Sequence, residues 1–82
     1  MKKHKILLKI LSGSRNITFE EFVSVIISFG FREVRSKGSH HIYKKEGIEE
    51  LINIQNVEGK AKNYQIKQFI SIIEKYNIPL ED

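Results

Sequence analysis

Polar and apolar residues alternate between two periods along the chain, and the changes of period mark the elements. Over Lys5–Leu11 the apolar residues Leu7, Ile10 and Leu11 fall at i, i+3 and i+4, with Lys5 and Lys9 one turn apart on another side, which predicts a short helix. Ser12-Gly13-Ser14 breaks it. Thr18-Phe19-Glu20-Glu21 then spells a capping box, in which Thr18 and Glu21 each bond the other's amide. Ile17 and Phe22 stand where a hydrophobic staple belongs. The helix it opens runs to about Phe29, with Phe19, Phe22, Val23, Ile26 and Phe29 apolar and Glu20, Ser24 and Ser28 as its wet stripe. Gly30 is its C-terminal cap.

Three strands follow, at Phe31–Ser36, His40–Lys45 and Leu51–Gln55, with turns at Lys37-Gly38 and Glu46-Gly47. Ile52 and Ile54 share one face of the third. Asn56–Lys62 is a polar loop, and Asn63 is the expected N-cap of a last helix. In that helix Ile66, Phe69, Ile70 and Ile73 mark the core side, and Gln65, Lys67, Gln68, Ser71 and Lys75 face water. Pro79 comes just past its end. The order is a short helix and then α-β-β-β-α, an α+β fold with a three-stranded antiparallel sheet and both helices on one face.

Composition narrows the class. Eighty-two residues, 40% of them hydrophobic, make one domain with one core, read as a 1–16 extension and a 17–82 core. Without cysteine there is no disulfide and no thiolate metal site. The apolar run after the basic start is cut at Lys9 and lacks a small-residue cleavage site. No run reaches the ~20 residues that span a bilayer. No membrane association and a cytoplasmic location are therefore expected. Fourteen Lys and Arg against ten Asp and Glu leave a formal charge of +4, which favours an anionic partner, either nucleic acid or an acidic protein.

The candidate chemistry sits in Gly38-Ser39-His40-His41-Ile42-Tyr43, with Lys37 before it and Lys44 and Lys45 after it. An imidazole moves protons near neutral pH, and lysines hold and neutralise phosphate. Strand alternation separates His40, Ile42 and Lys44 from His41, Tyr43 and Lys45. Each set has one apolar member, so the pattern leaves open which faces the helices. An accessible His40 requires Tyr43 to point inward. Adjacent strand residues point to opposite faces, which places His40 and His41 poorly for sharing a metal ion. Lys60, Lys62 and Lys67 form a second basic cluster around the start of the last helix, beside Tyr64, a residue type that stacks on bases when exposed. No glycine-rich nucleotide loop, nucleophile elbow or paired-carboxylate pattern is present.

Gly38-Ser39-His40-His41-Ile42-Tyr43 and Gly59-Lys60-Ala61-Lys62-Asn63-Tyr64-Gln65, together with the Asn16-Ile17-Thr18-Phe19 helix entry, resemble the HicA family of toxins. The resemblance covers residue 17 to the C-terminus. It implies a double-stranded-RNA-binding-domain-like fold and a ribosome-independent mRNA endoribonuclease without cofactor, silenced by a HicB-type antitoxin that covers the active surface. The family's catalytic histidine, the one directly after Gly-Ser, maps onto His40; His41 does not inherit that role. Lys37, Ser39, His41, Lys44, Lys60 and Lys62 are the residues then expected to contact RNA. In the resulting scheme His40 takes the 2′-hydroxyl proton and Lys37 or Lys44 stabilises the charge on phosphorus. The other reading is a non-catalytic RNA-binding module of the same fold. Two departures stand out. Minimal members often carry Pro-x-His at the end of the third strand, where this chain has Ile54-Gln55-Asn56, and Asn63 stands where many relatives have proline.

Overall fold

The computed structural model describes residues 2–13 and 16–81, with side chains for 6–13 and 16–81. The Lys5 side chain and Ser14, both part of the expectations above, lie outside that description. The elements are α1 (Lys2–Leu11), α2 (Phe19–Ser28), β1 (Arg32–Lys37), β2 (His40–Lys44), β3 (Ile52–Gln55) and α3 (Asn63–Tyr76). The strands form one antiparallel sheet in the order β1-β2-β3. This is the expected α+β arrangement, an open-faced sheet of the double-stranded-RNA-binding-domain kind with an added N-terminal helix.

The capping box of α2 forms as expected. The Thr18 amide donates to Glu21 Oε1 at 2.9 Å and the Glu21 amide donates to Thr18 Oγ1 at 3.0 Å. Lys9 of α1 donates to the same Glu21 oxygen at 3.4 Å, tying the two helices together. Those donors hold the Glu21 carboxyl below its usual range, the Thr18 amide first, against the opposing effect of burial. The core is built around Phe69 of α3, which is fully buried. The rings of Phe22, Phe29 and Phe31 each meet it edge-on with centroids 5.7 Å away, the arrangement the ring quadrupole favours. Ile52 and Ile54 of β3 close that core from the sheet side.

Four local expectations are corrected. Leu11 is 60% exposed, and α1 buries Ile10 with Ile6 and Leu7 partly covered, because α1 packs chiefly on α2 along a narrow seam. Ser28 is buried to 1% exposure: its hydroxyl donates to the Val25 carbonyl at 2.7 Å, and its own carbonyl accepts from the Glu81 amide of the returning C-terminal tail. Gln65 is buried too, its side-chain oxygen accepting the Gln55 amide at 2.8 Å. The N-cap of α3 is Lys62, in extended conformation and without a side-chain cap, and Asn63 is the first helical residue. That is the position where proline is also well accommodated, since its missing N–H has no helical partner to lose.

Candidate nucleic-acid interface

β1 and β2 are joined by Gly38 and Ser39 alone. Gly38 has φ +59° and Ser39 is not left-handed, which fits the type II′ hairpin turn that takes glycine first. This tight turn sets Lys37 directly opposite His40. Gln55 of β3 lies opposite His40 on its other side. His40 is therefore at the end of the sheet, flanked on both strands, and it is exposed. Ser39 is exposed, and its carbonyl accepts the Asn56 amide at 3.0 Å, which pins the turn to the end of β3.

The alternation left open by the sequence resolves with Tyr43 inward. Tyr43 is buried on the helix side, and His41 shares that side, its ring tilted against Phe19 with centroids 5.0 Å apart. His41 Nδ1 meets Glu33 Oε1 at 2.8 Å. Burial, and secondarily the Glu33 carboxylate, push the Tyr43 hydroxyl above its usual range. The two neighbouring histidines thus occupy opposite faces. Among the described residues no group of three or more His, Cys, Asp or Glu side chains gathers as a metal site.

The open face holds His40, Ile42 and Lys44 from β2, and their cross-strand partners Lys37, Arg35 and Arg32 from β1. Strict alternation would not produce that set. Counting by twos along β1 groups Glu33 with Arg35 and Lys37 and leaves Arg32 on the other face. The register shift between Glu33 and Arg35 inserts Val34 as an extra residue, a β-bulge. The bulge moves Arg32 onto the open face and Glu33 onto the helix side. β3 adds Asn53 and Gln55, partners of Ile42 and His40. None of the residues that the register puts on this face is acidic. Arg32, Arg35, Lys37 and Lys44 are all exposed, and among the described residues none of the four is in an ion pair.

The remaining expected contacts lie farther from His40. Lys44 shares the open face with His40 but sits four residues along, roughly 13 Å at strand rise. Lys60 and Lys62 lie in and just after the loop that follows β3. Lys60 Nζ donates to Asn16 Oδ1 at 2.7 Å, and Lys62 Nζ stands 5.6 Å over the Tyr64 ring, which is 54% exposed. The Gln55–Gln65 bond brings the start of α3 to the end of the sheet where His40 lies. Arg32 and Arg35 are absent from the expected contacts. Their signal was a basic run inside a strand, but the face it occupies is readable only with the bulge.

The family model described as "HicA toxin of bacterial toxin-antitoxin" matches residues 19–75, which run from the first residue of α2 almost to the end of α3. The chain belongs to the HicA toxin family. The matched span contains the whole sheet, His40 included, and leaves α1 outside. Membership makes this HicA-family protein one half of a toxin–antitoxin pair and implies a cognate antitoxin as its partner. No curated protein and no solved structure matches the chain significantly. No described helix is long and apolar enough to cross a membrane.

Proposed function

We propose that this HicA-family toxin is a metal-independent endoribonuclease that cleaves mRNA with His40 as its single catalytic histidine. The observation that carries the reading is an exposed imidazole directly opposite Lys37, at the end of a sheet face that bears cations and no acid. His40 accepts the proton of a ribose 2′-hydroxyl as the oxygen attacks the adjacent phosphorus. The P–O5′ bond breaks, leaving a 2′,3′-cyclic phosphate and a 5′-hydroxyl whose proton comes from water or a lysine. Lys37 faces the charge that builds on the phosphoryl oxygens; Lys44, at the far end of the face, is better placed to hold a neighbouring phosphate. Positioned proton transfer contributes typically about 10²–10⁴-fold, and charge stabilisation a comparable factor. DNA lacks the attacking hydroxyl and is not cut. The antitoxin of such a pair, of HicB type, silences the toxin by covering the face that carries His40.

The test compares wild type with His40→Ala on labelled RNA and DNA in the presence of chelator. Wild type cuts RNA alone, and the variant keeps its fold and loses cleavage. Normal cleavage by His40→Ala overturns the assignment, and RNA binding by wild type without products returns the protein to a non-catalytic binding module.

A further inference from the structure

We infer that the open face is a track for one RNA strand, along which Arg35, Arg32 and Lys44 hold successive phosphates leading away from the bond cut at His40. The inference builds on the nuclease reading and adds the substrate's path and form.

Three observations carry it. The first is charge sorting. The Val34 bulge removes Glu33, the one acid of β1, from this face and replaces it with Arg32. Glu33 is instead engaged by His41 on the helix side. Three lysines elsewhere are matched by acids, Lys9 with Glu21, Lys45 with Glu81 and Lys75 with Glu50. The four cations of the open face crowd one small surface with no acid paired to them among the described residues, which is costly self-repulsion unless an anion lies there.

The second is size. From the His40–Lys37 pair to the Lys44–Arg32 pair the face is roughly 13 Å long, and three strands make it about 10 Å wide. Duplex RNA is gripped by shape across ~16 base pairs and successive grooves. A narrow strip with its cations in line fits a single backbone.

The third is layering. β1 contributes only cations to this face, while β3 contributes the neutral amides Asn53 and Gln55, with Ile42 between the rows. Guanidinium forks suit phosphate oxygens, and amides and an apolar side chain suit base edges and base planes. The strand therefore runs along β1–β2 with phosphates over β1 and bases toward β3. Arg35, diagonal to His40, holds the phosphate next to the scissile one and acts as a positioning residue.

Binding is measured in the His40→Ala background, so that RNA survives, using a labelled unstructured RNA oligomer titrated at several salt concentrations. Arg32→Gln, Arg35→Gln and Lys44→Gln together weaken binding roughly ten- to hundredfold and cut the log–log salt slope by roughly 2. Lys75→Gln, the control for lost charge, moves neither. With His40 restored, the triple variant raises KM far more than it lowers kcat. If its affinity and salt slope match those of Lys75→Gln, the track is wrong, whatever wild type does to RNA. Preference for duplex over single-stranded RNA also overturns it, as does binding of an acidic protein with no RNA affinity. If wild type makes no products while the three residues still carry RNA binding, the track stands and only the nuclease reading fails.

Discussion

Glu33 and His41 meet on the helix side of the sheet, Oε1 to Nδ1 at 2.8 Å, although simple alternation along β1 would place Glu33 among the cations of the other face. One inserted residue, Val34, makes the difference. The electrostatic character of the exposed surface therefore depends on a backbone irregularity and not on composition alone.

Glu33→Gln keeps the size of that side chain and removes its charge. Burial is the first cause of the raised Tyr43 hydroxyl and the carboxylate comes after it, so the tyrosine pKa falls only part of the way back. Titration of the Tyr43 ring signals by NMR measures this. A full return to the ordinary tyrosine value means that burial is not the main cause.

Glu50 accepts from Lys75 Nζ at 2.7 Å and from the Tyr76 hydroxyl at 2.5 Å, and these two donors lower its pKa to about 2. Both donors are in turn raised by the carboxylate. A depressed carboxylate adds stability above its unfolded value and loses it as pH falls through the folded one. The melting temperature of wild type relative to Glu50→Gln should shrink between the ordinary 4.5 and about 2. Scanning calorimetry of both proteins across that window checks it; a gap that stays constant removes the pair from the acid response.

Gly30 and Gly38 both hold positive φ, +91° and +59°, but in different surroundings. A methyl at Gly38 meets open space and costs about 1 kcal/mol of backbone strain. One at Gly30 lands 2.3 Å from Lys45 Nζ and 2.5 Å from the Glu81 carboxylate, and so also displaces that ion pair. Gly30→Ala is expected to cost more than Gly38→Ala in urea unfolding. Equal midpoints argue that the C-terminal tail does not rest on this turn.

Phe69→Ala empties the centre of a four-ring cluster and costs about 3–5 kcal/mol, enough to unfold much of a domain this small. Leu11→Ala, at an exposed helix end, stays within about 0.5 kcal/mol. Thermal melts of the two variants order them; a large loss from Leu11→Ala means that α1 packs differently.

Much of this was legible in the chain. Local signals name the elements: Thr18 and Glu21 open α2, Gly38 marks the hairpin turn, which lies one residue later than the expected Lys37-Gly38, and the Ile66–Phe69–Ile73 spacing gives α3 its buried side. These depend on bonds and periods within a few residues, so the residues themselves suffice. His40 as the histidine of interest was also visible, from its place after Gly-Ser among lysines.

Which face of β2 is covered, the burial of Ser28 and Gln65, and the gathering of Arg32 and Arg35 on the face that carries His40 came only with the tertiary structure. His41 and Tyr43 turn inward because Phe19 and the helix layer offer them contacts, and Ser28 and Gln65 are covered by segments far along the chain. A one-residue bulge reverses the facing of every residue beyond it, and nothing in the order Arg32-Glu33-Val34-Arg35 announces where it falls. Short-range stereochemistry wrote the elements into the sequence; the identity of the exposed surface was decided by long-range pairing.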